Sequence, residues 1–169
     1  LASYDRALEI TPDYVAAWSN RGAALNELKR YEEALASYNR AIEIQPDYAE
    51  AWSNRGVALN NLKRYEQALA SYDRAIEIKP DYALAWSNRG SVLNDLKRYE
   101  EALANCERAI EIKADYAEAW SNRGNALSDL KRYEEALASY GRAIEIKPDY
   151  ALAWSNRGYV LNNLKRHDE

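Results

Sequence analysis

Apolar residues recur three and four positions apart along almost the whole chain, with polar residues on the intervening faces. Leu1, Tyr4, Ala7, Leu8 and Ile10 have this spacing, which predicts a helix with its turn over 1–14. Thr11-Pro12-Asp13 then reads as a stop and a restart, since Pro cannot continue a helix and Asp can cap the next one. The same punctuation returns at Pro46-Asp47, Pro80-Asp81 and Pro148-Asp149. Between these marks the stretch Ala-Trp-Ser-Asn-Arg-Gly begins at Ala17, Ala51, Ala85, Ala119 and Ala153, each copy 34 positions after the last. A fixed period of this size marks a stack of similar supersecondary units rather than one closed core. The chain divides into a half unit at 1–14, full units at 15–48, 49–82, 83–116 and 117–150, and a partial unit at 151–169.

Each full unit divides into two helices. Counting from Val15, Ala49, Ala83, Ala117 and Ala151, unit positions 4, 7, 8, 11 and 14 fall on one side of a helical wheel, and 2, 6, 9 and 13 on the other. In the first full unit the packing side is Trp18, Arg21, Gly22, Leu25 and Leu28. The second helix sets Ala34, Leu35, Tyr38, Ala41 and Ile42 on one stripe and turns Glu32, Glu33, Arg40 and Glu43 mainly away from it. Gly22 and Ala34 let the paired helices approach closely, and Tyr38 fills the space around Trp18. Two short helices cannot bury such faces alone, so stacking stabilises them.

Trp52, Gly56, Ala68, Tyr72, Ala75 and Pro80 occupy unit positions 4, 8, 20, 24, 27 and 32. This pattern resembles the tetratricopeptide repeat family, in register over the whole chain. The resemblance implies an all-α fold, a right-handed superhelical α-solenoid of antiparallel helix-turn-helix repeats, with first helices lining a concave groove and second helices the convex surface. Some positions depart from the pattern. Leu25, Leu59, Leu93, Leu127 and Leu161 stand where the family often has Tyr, and Lys29, Lys63, Lys97 and Lys131 where a turn Gly is common. A Lys in left-handed geometry costs on the order of 1 kcal/mol, so either that strain or an altered turn is expected. Gly141 weakens its helix by a comparable ~1 kcal/mol if it lies in the interior. In the third unit Asn105 and Cys106 replace Ser and Tyr and Ala114 replaces Pro, with Cys106 expected in a buried, under-filled core position.

Function is expected on the first-helix face that packing leaves free. Its constant members are Asn20, Asn54, Asn88, Asn122 and Asn156, with Ser53 beside Asn54. Packed helices lie about 10 Å apart, and an extended peptide advances about 3.3 Å per residue. One amide therefore meets a peptide backbone roughly every third residue, and it both donates and accepts. The arrangement resembles the asparagine ladder in the repeat domain of O-linked N-acetylglucosamine transferases; the alternative is a row of solvated or mutually bonded amides copied by duplication. Selectivity would come from the varying positions around it. Position 2 holds Ala16, Glu50, Leu84, Glu118 and Leu152; position 9 holds Ala23, Val57, Ser91, Asn125 and Tyr159; position 13 holds Glu27, Asn61, Asp95, Asp129 and Asn163. Chaperone-binding family members use a carboxylate clamp with Lys at 2 or 5, and those lysines are missing, so the expected partner is an extended neutral or basic segment rather than an acidic tail. Arg21, Arg55, Arg89, Arg123 and Arg157 stand where the family usually has Leu. They are expected to pack their stems between helices and pair with a carboxylate of the Glu43 or Asp47 type, with anion binding as the alternative.

Composition narrows the function class. The formal charge is −4, from 23 basic and 27 acidic residues, with no Lys/Arg-rich block, so a nucleic-acid partner is not expected. No apolar run approaches the ~18 residues of a membrane span, and no signal-like segment opens the chain. The single Cys106 allows no internal disulfide and fits a reducing, cytoplasmic location. Catalysis finds little support: His167 sits at the chain end, the glycines do not cluster into a phosphate loop, and no group has metal-ligand spacing, so no cofactor is expected. The missing initiator Met and the abrupt ends read as a fragment. Joining residues 165–169 of one copy to Leu1-Ala2-Ser3-Tyr4 of another nearly restores the repeat, which suggests head-to-tail self-association through Tyr4, Leu8, Trp154 and Leu161. The leading expectation is a non-enzymatic peptide-binding scaffold. The alternatives are a structural, self-assembling or engineered array, and the targeting domain of a larger enzyme.

Overall fold

A computed structural model describes residues 1–165. Those residues form ten α-helices and no strand: α1 (Ala2–Ile10), α2 (Val15–Glu27), α3 (Tyr31–Ile44), α4 (Ala49–Asn61), α5 (Tyr65–Ile78), α6 (Ala83–Asp95), α7 (Tyr99–Ile112), α8 (Ala117–Asp129), α9 (Tyr133–Ile146) and α10 (Ala151–Asn163). Each repeat origin expected from the sequence is the first residue of a helix. The chain groups into two compact units, Leu1–Ala85 and a second from Trp86 onwards.

Helix pairing follows from burial on two stripes. In α4 the buried residues are Ala49, Ala51, Ser53, Gly56, Ala58 and Leu59. Ala49, Ser53 and Gly56 form one line at helical spacing, and Ala51 and Ala58 another seven residues apart. This corrects the placement of Ser53 in the groove: it has Ala49 and Gly56 as its helix neighbours, so it shares their buried face and is fully covered. Leu28, expected on the packing side, is the C-cap of α2 and 58% exposed, whereas Leu25, one turn earlier, is fully buried. In α3 Ala34, Leu35, Tyr38 and Ala41 of the expected apolar stripe are buried, Ile42 is half-buried, and Ser37 joins the buried set.

A glycine and a tyrosine set the distance between the helices of a repeat. A Cβ added at Gly56 would stand 2.6 Å from Tyr72 Cε1, and one at Gly124 2.5 Å from Tyr140 Cε1. The ring therefore lies directly on the glycine. In the third repeat Cys106 Sγ takes the ring's place, 2.8 Å from where a Gly90 Cβ would be. The helices have thus kept a close approach with a smaller side chain, and burial pushes the Cys106 thiol up to about 12.

The turns differ from expectation in one respect and meet it in another. Pro12-Asp13 forms a turn closed by the Tyr14 N–H donating to the Thr11 carbonyl at 3.1 Å. The N-cap is consequently Tyr14, without a side-chain cap, and Asp13 instead meets Arg40 at 3.4 Å; the expected Asp13 cap falls one residue too early. At the other turn Lys29, Lys63, Lys97, Lys131 and Lys165 all have φ between 58° and 60°. Arg30 N–H donates to the Leu25 carbonyl and Lys29 N–H to Asn26, the paired bonds of a Schellman motif. The lysines therefore take the strained alternative, at about 1 kcal/mol each.

Candidate functional site

The amides at unit position 6 of the first helices are exposed or half-buried, in contrast to the buried stripes beside them. In the first unit Asn20 is exposed and Asn54 half-buried, and neither amide is hydrogen-bonded among the described residues. Glu50 lies 3.9 Å from Lys79 Nζ, so its carboxylate is shared with the second helix of its own repeat. Leu84 is 37% exposed. Asn61 Nδ2 donates to Asn26 Oδ1 at 3.4 Å, leaving an amide-rich, uncharged stretch at positions 12 and 13 of α4.

The second unit carries the same amides in a more bonded state. Asn88 is half-buried. Asn122 Nδ2 donates to Ser87 Oγ at 3.1 Å, and Asn156 Nδ2 to Asn125 Oδ1 at 2.9 Å. Asn125 Oδ1 also accepts from the Tyr140 hydroxyl at 2.8 Å. Asp129 Oδ2 accepts from Asn94 Nδ2 at 3.1 Å. Asn94, Asn125, Ser128, Asp129, Tyr140, Asn156 and Tyr159 line a cavity of about 260 Å³. Burial, with the Asp129 charge adding to it, raises the Tyr140 phenol pKa strongly. Partial desolvation raises the carboxyl of Asp95, although its side chain is exposed. Glu118 lies 3.6 Å from Lys147 Nζ, repeating the Glu50–Lys79 contact.

The recurrent arginines lie on the packed side. Arg21 Nε donates to Asp5 Oδ1 at 2.7 Å and its Nη1 to Ser37 Oγ at 2.7 Å. Arg55 bonds Asn39 and Ser71, Arg123 bonds Glu107 and Ser139, and Arg89 bonds Asn105. Each guanidinium carbon in three of these repeats also sits 5.7–6.0 Å from the centroid of its own repeat's Trp. For Arg21, Arg55 and Arg123 the partner is therefore unit position 25 of the preceding second helix, 16 residues earlier, rather than a Glu43- or Asp47-type residue. Position 7 faces the preceding and following second helices together, so Ser37 and its equivalents accept the other side of the fork. Asn39 is neutral, and burial lowers the pKa of Arg55. These serines were not singled out from the sequence; their spacing of 16 from each Arg was the available signal. Asn105 takes over the same duty, accepting from Arg89 and donating to the Glu101 carbonyl.

Of the residues expected to join copies end to end, Leu8 and Leu161 are buried, Tyr4 is half-buried and Trp154 is 50% exposed. Only Trp154 and Tyr4 therefore have surface to offer. His167 and residues 166–169 lie outside the described residues. No group of His, Cys, Asp and Glu among the described residues is placed to hold a metal, and no described helix is long and apolar enough to cross a membrane.

Comparisons with known proteins agree with this architecture. Family models described as "TPR repeat" match residues 22–63 and 90–131, and two described as "Tetratricopeptide repeat" match 49–82 and 117–150, and 3–36 and 71–104. No curated protein sequence matches the chain. Among solved structures, YrrB, described as a TPR protein with an unusual peptide-binding site, superposes with a TM-score of 0.73 at 24% identity, over 98% of this chain and 85% of YrrB. MamA from Desulfovibrio magneticus RS-1 has a TM-score of 0.77 at 22% identity, over 90% of this chain and 86% of that one. The first TPR of Spaghetti (RPAP3), bound to the HSP90 peptide SRMEEVD, has a TM-score of 0.66 at 26% identity, over 69% of this chain and 93% of that one. With repeat models tiling residues 3–150 and helix pairs repeating in the family's register, the chain belongs to the tetratricopeptide repeat family.

Proposed function

We propose that this chain is a non-enzymatic protein–protein interaction scaffold that takes an extended peptide along the open faces of its first helices. The observation that carries the reading is the amide at unit position 6, which recurs while its packing neighbours bury themselves elsewhere. Asn20 and Asn54 keep unspent donors and acceptors, which suits a peptide backbone. Asn88, Asn122 and Asn156 are the corresponding rungs of the second unit. The RPAP3 domain, similar at 26% identity, holds a peptide, SRMEEVD, that is rich in acid. Here Glu50, Glu118, Asp95 and Asp129 surround the amides, and position 2 has no Lys, so a neutral or basic segment is the fitting partner.

A peptide-array screen repeated with Asn54, Asn88 and Asn122 changed to Ala tests the reading. Loss of the bound peptides in the triple variant, with helicity unchanged by circular dichroism, is the expected result. Retention of every peptide by the variant overturns the ladder.

A further inference from the structure

The cavity between α6, α8, α9 and α10 differs from the other open faces in the way its hydrogen bonds are spent. The Asn94 amide donates to Asp129, the Tyr140 hydroxyl donates to Asn125, and the Asn156 amide donates to the same Asn125 oxygen. These three bonds commit polar hydrogens inward. The Asn125 amide N–H groups and the second amide hydrogens of Asn94 and Asn156 stay unspent, but the charge is all on the acceptor side: the rest of the Asp129 carboxylate, joined by the unpaired Asn94 Oδ1, the Asn156 carbonyl oxygen and the Ser128 hydroxyl. No Lys or Arg lines the cavity, and Asp129 has no ion pair among the described residues. Tyr159, 64% exposed, supplies an aromatic wall at the rim.

An acceptor-rich cavity with one carboxylate and one open ring suits a planar cation with several donors. We propose that this cavity receives an arginine side chain of the bound peptide, with Asp129 taking the guanidinium charge and Tyr159 stacking on its face. A volume of about 260 Å³ is ample for one such side chain. Lysine, a single point charge with three donors, fills fewer of the acceptors and binds less well. In α4 of the first unit Asn61 stands at the unit position of Asp129, so that helix has no equivalent charge, while α2 carries Glu27 there. The proposal rests on the peptide-binding reading for its natural occupant, and it fixes where along the peptide the basic residue falls.

The test uses the whole chain and two kinds of probe. Backbone amide shifts are followed by NMR during titration with N-acetyl-arginine amide, N-acetyl-lysine amide and N-acetyl-citrulline amide. The arginine probe is expected to shift Asp129, Asn156 and Tyr159, the lysine probe more weakly, and the uncharged citrulline probe not at all. Asp129→Asn, which keeps an acceptor for Asn94, is expected to weaken the arginine probe by about fivefold or more. Tyr159→Leu provides a second variant that leaves the carboxylate in place, and it is expected to reduce the preference for arginine over lysine. An arginine probe that leaves these amides unmoved, or that binds Asp129→Asn as well as the unchanged protein, overturns the pocket. A peptide-array screen read alongside separates the two ideas. Peptides that bind without any arginine preference sink the pocket and keep the scaffold, whereas arginine-probe binding without any peptide hit keeps the pocket and sinks the groove.

Discussion

The first unit and the second unit contain the same repeat built on the same contact, yet they offer different surfaces. In α4–α5 Tyr72 lies on Gly56, and in α8–α9 Tyr140 lies on Gly124, with nearly identical spacing. Between those fixed points position 9 changes from Val57 to Asn125 and position 13 from Asn61 to Asp129. The change leaves packing alone and converts an amide-rich face into a cavity with a carboxylate and bonded phenol. Duplication thus copied the glycine–tyrosine contact in these two repeats, while positions 9 and 13 changed and took new polar partners on neighbouring helices.

The largest effect expected from this comparison is the loss of either ring. Tyr72→Ala and Tyr140→Ala each empty a fully covered site and are expected to cost about 3–5 kcal/mol, similar in the two units, as read from urea midpoints. A cost in one unit far below the other would show that the skeletons are not equivalent. Next in size is the glycine beneath the ring. Gly124→Ala drives a Cβ into Tyr140 and is expected to destabilise by about 1–3 kcal/mol. Gly141→Ala meets nothing within 4 Å and is expected to stabilise by up to ~1 kcal/mol through helix propensity. The two substitutions therefore shift the thermal midpoint in opposite directions.

Smaller changes sharpen the difference between the units. Tyr140→Phe removes the bond to Asn125 and is expected to cost about 1 kcal/mol, whereas Tyr72→Phe, whose hydroxyl makes no hydrogen bond among the described residues, is expected to be close to neutral. Equal effects would mean that Asn125 does not distinguish the units energetically. The smallest effect concerns the exposed Asp95, whose pKa is raised by partial desolvation. A raised carboxyl binds its proton more tightly in the folded state, so it favours folding below its unfolded pKa and loses that benefit as pH rises through the folded value. Asp95→Asn is accordingly expected to raise the thermal midpoint slightly at pH 7 and not at pH 3. A larger gain at low pH would contradict the stated cause.

The sequence was most legible where one residue type had one physical task. Gly56, Tyr72 and Ala68 announced close packing by size alone, and Lys63 announced either strain or an altered turn, between which its positive φ decides for strain. Ser53 and Ser71 were illegible for the opposite reason: a small hydroxyl is equally at home in a groove and under a helix. Only the second buried stripe of α4 and the fork of Arg55 decide between those places. The partner of Arg21 was likewise hidden, because Asp5 comes from a different repeat and becomes a neighbour only after stacking. The acceptor-rich cavity depends on which way each amide spends its hydrogens, and residue identity does not encode that direction. Asp129 was recognisable as a candidate, but its bond to Asn94 was not.

The central claim is that binding belongs to the open faces of the first helices and packing to the rest. Amide-resolved NMR of the chain with a peptide selected from the array tests it most directly. The account predicts shifts concentrated at unit positions 6, 9 and 13, among them Asn54, Asn122, Asn125 and Asp129. Shifts concentrated instead on the exposed second-helix residues Glu32, Arg40, Arg108 and Glu111 would contradict it.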